Sequence, residues 1–66
     1  MKVVVNGREQ DVEPGDTVAR LLELLGFTAR YALVELNGEP VERSRFGALP
    51  LAEGDTLIVA RPVAGG

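Results

Sequence analysis

A chain of 66 residues with a net charge of −3 makes one small domain with a thin core, because a chain of this size buries only roughly 60% of its unfolded surface. It has no cysteine and no histidine, which excludes disulfides, thiol chemistry and the commonest general base. The acidic balance argues against nucleic acid as a partner, since phosphate binding needs a basic patch. There is no apolar run long enough to span a membrane and no signal-peptide pattern. We therefore expect a cytoplasmic binding module, carrier or small subunit, not an enzyme, with no membrane partner.

The first predicted element is a hairpin. Residues 2–5 are mostly β-branched, which favours a strand. The pair Asn6-Gly7 is the strongest two-residue hairpin signal, because both turn positions need a positive φ. Residues 8–12 are then the returning strand, whose charges are typical of a sheet edge.

The next predicted element is a short helix. Asp16 or Thr17 can cap it by accepting from free backbone N–H groups of the first turn, and Gly26 ends it in the usual C-terminal position. A helix of two to three turns is not stable alone, so it must lie on a sheet. One stripe of apolar residues at helical spacing would face that sheet: Val18, Leu21, Leu22 and Leu25.

The second half of the chain predicts three more strands. Residues 31–36 form a strand that ends at a second turn pair, Asn37-Gly38. Residues 39–41 can form only a short edge strand, because Pro40 lacks a backbone donor. Residues 56–61 form the last strand.

The stretch between the last two strands is ambiguous. We interpret residues 42–49 as a connector with a single helical turn. Phe46 and Leu49 are its large apolar residues, and we expect them to close the open end of the core.

The element order indicates an α+β protein of the β-grasp type. It predicts a mixed sheet of four to five strands with one helix across it, in which the first and last strands are central and parallel. Residues 1–61 form this domain, and residues 62–66 form an extended C-terminal tail that ends in Gly-Gly.

Alternation along the strands predicts a docking patch on the face opposite the helix. If Val3, Leu57 and their alternating neighbours face the helix, Val4, Leu33 and Ile58 face away from it. Ala60 continues that line toward the tail. Such a patch suits a partner protein, although small β proteins also expose single aliphatic residues. Arg61 could contact a carboxylate of the partner or be an ordinary exposed side chain.

The tail itself has a composition suited to entering a narrow site. Gly65 and Gly66 have no Cβ, and Ala64 is nearly as slim. Pro62 stiffens the exit from the domain. Five residues reach about 16 Å when extended. The alternative is a C-terminal segment without a role.

The remaining charges form no enzyme-like constellation. The acidic residues between Glu9 and Asp16 could be a cation site, but an edge strand and a helix start explain them more simply, so we expect no metal site. Arg43 and Arg45 could steer an acidic partner or be ordinary solvated charges.

Six stretches of the sequence carry a resemblance to a known family. They are Met1–Gly7 with its Asn-Gly hairpin, Asp16-Thr17-Val18-Ala19-x-Leu21-Leu22, Val34-x-Leu36-Asn37-Gly38-Glu39-x-Val41, Arg43-Ser44-x-Phe46, Gly54-Asp55-x-Leu57-x-Val59 and Gly65-Gly66. Together with the element order, they resemble the ThiS/MoaD family of ubiquitin-like sulfur carriers, and within it the carriers of thiamine biosynthesis. Phe46 stands where many members have tryptophan, and the ending from Pro62 to Gly66 is also similar to the small subunit of molybdopterin synthase, which leaves the pathway open.

The resemblance implies chemistry at the Gly66 carboxylate. A ThiF-like, E1-like adenylating enzyme would activate it with ATP, a persulfide sulfur donor would convert it to a thiocarboxylate, and a ThiG-like thiazole synthase would receive the sulfur. The carrier itself would bind no cofactor. The open alternatives are sulfur transfer to molybdopterin or tRNA, a ubiquitin-like protein modifier, and a passive interaction domain.

Overall fold

Five strands and one α-helix make up the part of the chain that the computed structural model describes, residues 1–62. No helix in this part is long and apolar enough to cross a membrane. In chain order the elements are β1 (Lys2–Val5), β2 (Arg8–Asp11), α1 (Val18–Leu25), β3 (Leu33–Leu36), β4 (Glu39–Val41), a single turn of 3-10 helix (Arg43–Arg45) and β5 (Thr56–Ala60).

The strands form one mixed sheet in the order β2-β1-β5-β3-β4. β1 and β5 are parallel, with Val4 opposite Thr56 and Val5 opposite Leu57, and every other pair is antiparallel. The predicted β-grasp architecture, with the first and last strands central and parallel, is therefore confirmed. The two polar or proline-containing strands, β2 and β4, form the edges, where they limit pairing with other chains.

Both Asn-Gly pairs form the predicted hairpin turns. Asn6 and Gly7 have φ values of 52° and 83°, and Asn37 and Gly38 have values of 52° and 85°. Two consecutive positive φ values define a type I′ turn, whose twist matches that of the strands it joins. The two turns fix the register of β1 with β2 and of β3 with β4.

Helix α1 is bounded at both ends by side-chain and backbone hydrogen bonds. Thr17, rather than Asp16, is the N-cap: its Oγ1 accepts from the backbone N–H of Arg20 at 3.2 Å. Asp16 instead closes the preceding turn, where its Oδ2 accepts from the backbone N–H of Glu13 at 2.9 Å. At the other end, Gly26 has a φ of 80° and ends the helix in the left-handed conformation.

The core lies between α1 and the inner face of the sheet. Phe46 is buried and Leu49 is half-buried, so the connector closes the core as predicted. The strand bounds differ slightly from the prediction: β3 begins at Leu33 because the backbone N–H of Ala32 donates to Thr28 instead of to a strand. The buried apolar residues are Val3, Val5, Val12, Val18, Leu21, Leu22, Ala32, Val34, Phe46, Leu51, Leu57 and Val59.

Candidate functional site

The open face of the sheet exposes two large aliphatic side chains close together. Leu33 is 53% exposed and Ile58 is 49% exposed. They lie on adjacent antiparallel strands, where Leu33 is opposite Ala60 and Ile58 is opposite Glu35. Residues two apart on one strand share a face, so Leu33, Ile58 and Ala60 form one continuous surface. Sequence alternation predicted all three on this face.

A shallow groove of about 380 Å³ runs across this surface. The side chains of Leu33 and Ile58 border it, and Ala60, the last residue of β5, lies beside the point where the chain leaves the sheet. Pro40 adds apolar surface from the edge strand. The charged residues along the groove are Glu35 and Arg43. An apolar floor with one acid and one base suits a complementary protein surface better than a small polar ligand.

Val4 and Arg61, the other two predicted patch residues, do not line this groove. Val4 is half-buried and lies opposite Thr56 on β5 and Glu9 on β2, so it belongs to a different part of the open face. Arg61 directly follows β5, and its guanidinium carbon lies 4.7 Å from the centroid of the Phe27 ring. Because Phe27 directly follows Gly26, the C-cap of α1, Arg61 is directed toward the helix side of the sheet.

The Phe27–Arg61 contact was not predicted from the sequence. The two residues border a second, smaller groove of about 130 Å³, together with Gly26, Thr28 and Tyr31. A guanidinium over an aromatic face is attracted by the ring quadrupole. The contact therefore restrains the first residue after β5, next to the start of the segment that the tail chemistry would use.

Strand β5 is held at both ends by the asparagines of the two hairpin turns. The side chain of Asn6 donates from Nδ2 to the carbonyl of Val59 at 2.9 Å, and its Oδ1 accepts from the N–H of Val59 at 2.9 Å. At the other end, Oδ1 of Asn37 accepts from the N–H of Thr56 at 2.9 Å. Both asparagines were predicted in turns, and this second role was not predicted. The strand that leads to the terminal residues is thus fixed along its whole length.

The far end of β1 holds an exposed ion pair. Nζ of Lys2 lies 2.7 Å from Oδ1 of Asp11. This hydrogen bond, helped by the charge attraction, lowers the pKa of the Asp11 carboxyl and raises the pKa of the Lys2 ammonium. Within residues 1–62, no three acidic side chains come together as candidate metal ligands. Ala64, Gly65 and Gly66 lie outside the described residues, so their roles stay predictions.

A five-stranded mixed sheet with one helix across it, and a central last strand that leads to a Gly-Gly sequence, defines the class of ubiquitin-like β-grasp proteins. Comparison with known proteins narrows this class. The model of the ThiS family matches residues 3–66. The chain therefore belongs to the ThiS family.

Solved structures agree with this assignment. The crystal structure of the thiamine biosynthesis protein ThiS from Geobacter metallireducens superposes with a TM-score of 0.84 at 36% identity, over 100% of both chains. SAMP1 from Haloferax volcanii superposes with a TM-score of 0.63 at 24% identity, over 98% of this chain and 97% of its own. The second likeness shows the fold alone.

Two curated relatives are much longer proteins. The thiazole synthase of Magnetococcus marinus is 38% identical over 66 residues, and that of Paramagnetospirillum magneticum is 36% identical over 66 residues. In both cases the match covers 100% of this chain but 20% of the relative. The chain thus spans about a fifth of the length of these relatives, and a ThiS-like segment is part of each.

Proposed function

We propose that this protein is the sulfur carrier of thiamine biosynthesis and acts as a co-substrate of partner enzymes. The observation that supports this most directly is the family match over residues 3–66, together with full-length similarity to the ThiS protein of Geobacter metallireducens. The residue composition agrees with a carrier. Without cysteine or histidine, the chain has no thiol nucleophile and lacks the side chain that most often transfers protons at neutral pH.

The proposed chemistry takes place at the carboxylate of Gly66. A carboxylate is a poor electrophile, so an adenylating enzyme first joins it to AMP from ATP and releases pyrophosphate. The outer sulfur of a persulfide then attacks the carbonyl carbon and displaces AMP, which gives an acyl disulfide. A thiol then attacks the other sulfur of this acyl disulfide and forms a new disulfide with it. The former outer sulfur of the persulfide stays on the carbonyl carbon as a thiocarboxylate, a strong nucleophile for thiazole formation.

In this proposal the domain binds the partner enzyme and positions the terminal glycine, and it supplies no acid or base. The groove bordered by Leu33 and Ile58 offers apolar contact area to the partner, and Ala60 places that area next to the exit of the chain. Binding the domain raises the effective concentration of Gly66 at the partner's reacting centre. Glycines without a Cβ then allow the backbone to pass a narrow entrance.

The recipient of the sulfur is proposed to be a thiazole synthase. In the two curated relatives a ThiS-like segment and the rest of a thiazole synthase belong to one polypeptide. Joining two proteins that must meet repeatedly is favourable, because the covalent linkage replaces a bimolecular step by an intramolecular one. We propose that this chain associates with a thiazole synthase in the same way, as its protein partner.

The experiment that tests this function is the intact mass of the chain after incubation with its adenylating enzyme, ATP, a persulfide donor and a thiol. We expect the mass to rise by the difference between one sulfur and one oxygen atom, with the change located on Gly66. A chain that lacks Gly65 and Gly66 is the matched control and should stay unchanged. Covalent attachment of Gly66 to lysines of other proteins, with no sulfur gained, would indicate a protein modifier and would refute the carrier function.

The recipient is tested in a second reaction. The thiocarboxylate form is mixed with a thiazole synthase and its other substrates, and thiazole formation is followed with the return of the carboxylate mass. Thiazole formed in proportion to the thiocarboxylate consumed supports the proposed recipient. Sulfur transfer to a molybdopterin precursor or a tRNA, with none to the synthase, would contradict it.

A further inference from the structure

Three exposed arginines lie in or against the loop between α1 and β3, at the end of the domain where β5 finishes. Each lies against a different residue of this loop, and we call the three residues the arginine cluster. The guanidinium of Arg61 lies 4.7 Å from the centroid of the Phe27 ring, Nε of Arg43 donates to the carbonyl of Ala29 at 3.2 Å, and the guanidinium of Arg30 lies 5.7 Å from the centroid of the Tyr31 ring.

Among residues 1–62, Lys2 and Arg20 form ion pairs, whereas the arginine cluster, like Arg8 and Arg45, does not. Nζ of Lys2 lies 2.7 Å from Asp11, and a guanidinium nitrogen of Arg20 lies 3.2 Å from Glu23. Among residues 1–62, no side-chain carboxylate oxygen comes within 4.0 Å of a cluster guanidinium nitrogen. An aromatic face or a carbonyl group attracts a guanidinium without cancelling its charge. The cluster therefore keeps its positive charge.

The contacts also prepare the cluster for binding. A guanidinium has five N–H donors in a planar fork. Arg43 uses its Nε on Ala29 and is exposed. Arg30 and Arg61 present one face to a ring and are exposed. Because each side chain is already restrained, less conformational freedom is lost when a carboxylate binds.

The opposite end of the domain carries several carboxylates beside the Lys2 ammonium and the N-terminus. Several carboxylates gather around the start of β1: Oε1 of Glu53 accepts from the N–H of Lys2 at 3.0 Å, and Oδ1 of Asp55 accepts from Nδ2 of Asn37 at 3.0 Å. Asp11 also lies there. The chain carries a net charge of −3, and the arginine cluster lies at the end of the strands away from these carboxylates. The positive end is the one from which the chain continues beyond Pro62.

The arginine cluster is continuous with the groove on the open face of the sheet. Arg43 borders that groove beside Leu33 and Ile58 and at the same time contacts the loop after α1. Glu35 is the acid that borders the same groove, whereas Glu42 borders a separate groove with Arg45 and Leu49. A partner seated on Leu33 and Ile58 would therefore meet Arg43 first and the rest of the cluster next.

We propose that the arginine cluster docks onto an acidic surface of the adenylating enzyme, next to the entrance for residues 63–66. This inference rests on the proposed function. Charge complementarity is the argument: a cationic end on an acidic protein orients the encounter, since an acidic surface attracts that end and repels the opposite one. The cluster thus orients the terminal segment toward the enzyme before the apolar groove contacts the enzyme surface.

The test compares two triple variants with equal changes in net charge. The cluster variant combines Arg30→Gln, Arg43→Gln and Arg61→Gln, and the control combines Arg8→Gln, Arg20→Gln and Arg45→Gln. Association with the adenylating enzyme is measured by stopped flow at several salt concentrations. We expect the cluster variant to associate about tenfold more slowly at low salt and to lose most of the salt dependence, as expected for steering by charge. The control should stay within about twofold of the original chain.

Equal association rates and equal salt slopes for the two variants would overturn the proposal. So would binding of a DNA or RNA oligonucleotide that competes with the enzyme and depends on the cluster, because the cationic end would then serve another partner. Thermal unfolding checks that both variants fold, and Arg30→Gln alone, against Arg20→Gln, replaces the triple variants if either does not. If the original chain forms no thiocarboxylate, both the carrier function and the role of the arginine cluster are refuted. If the original chain and the cluster variant form it at the same rate, only the role of the arginine cluster is refuted.

Discussion

The side chain of Asn6 and the backbone of Val59 are joined by two hydrogen bonds, each 2.9 Å long. One runs from Nδ2 to the carbonyl of Val59, and the other from the N–H of Val59 to Oδ1. An amide side chain that donates to and accepts from one residue imitates a paired strand residue. Asn6 thus extends the parallel ladder between β1 and β5 beyond the last residue of β1, while its own backbone makes the hairpin turn.

This double role makes Asn6 a sensitive position for stability. Asn6→Gly keeps a residue that accepts the φ of 52° but removes both hydrogen bonds. At about 0.5–1.5 kcal/mol each, we expect a loss of roughly 1–3 kcal/mol. Asn6→Ala should cost about 1 kcal/mol more, because the left-handed conformation is unfavourable for alanine. Urea unfolding of the two variants checks both values; a variant as stable as the original chain would show that the bonds contribute nothing.

Replacement of two glycines by alanine is predicted to have different effects on stability, because only one of them has a left-handed backbone conformation. Gly26 has a φ of 80°, whereas the φ of Gly47 lies outside the left-handed region, and a Cβ at either position would meet no atom within 4 Å. Gly26→Ala should therefore lose about 1–2 kcal/mol through backbone conformation alone, and Gly47→Ala should be close to neutral. Thermal unfolding of both variants measures the difference. Equal losses would mean that crowding, and not φ, decides the effect.

The proposed docking groove is tested by Ile58→Glu, with Leu24→Glu as its control. The two side chains are similarly exposed, at 49% and 51%, but Leu24 lies on helix α1, away from the groove. A carboxylate at position 58 would place charge in an apolar contact and leave the fold intact. We expect calorimetry with the adenylating enzyme to show at least tenfold weaker binding, or about 1.4 kcal/mol, for Ile58→Glu only. Equal binding by both variants would exclude the groove as the docking site.

The exposed ion pair between Lys2 and Asp11 predicts a small change in stability with pH. The Asp11 carboxyl has a pKa below its ordinary 3.8 in the folded protein, so its stabilisation is present above that value and is lost as the pH falls through the lowered pKa. The Lys2 ammonium has a pKa above its ordinary 10.5, so its stabilisation is present below that value and is lost as the pH rises through the raised pKa.

Asp11→Asn should remove both effects. Between these two pH limits the variant should be slightly less stable than the original chain, and the two should converge at low pH. Because the pair is exposed, added salt should shrink the difference. Urea unfolding across the acid range, at low and high salt, measures it. A difference that persists at the lowest pH would point to a cause other than the carboxylate charge.

Local sequence signals were enough to predict most of the fold. The Asn-Gly turns, the apolar stripe of α1 and Gly26 each specify a conformation through residues that are neighbours in the chain. Alternation also placed Leu33 and Ile58 on the open face, since strand residues two apart share a face. These features require no knowledge of long-range contacts.

What the sequence did not predict depends on register and on contacts between distant residues. Val4 was correctly placed on the open face, but the pairing of Val4 with Thr56 separates it from the groove, and alternation does not reveal that register. The contacts of Asn6 with Val59 and of Phe27 with Arg61 join residues from different parts of the chain. The direction of Arg61 had a usable signal, because it shares the parity of Val59 and so the helix side of the sheet.

The parallel pairing of β1 with β5 also has a consequence for how the protein folds. Val4 and Thr56 come from opposite ends of the chain, so their contact closes a long loop and belongs to the slow, non-local class of folding events. The hairpins β1–β2 and β3–β4 are local and can form before it. We therefore expect strand β5 to enter last, between two preformed hairpins, so that the residues after Pro62 follow a fixed strand only once this long loop has closed.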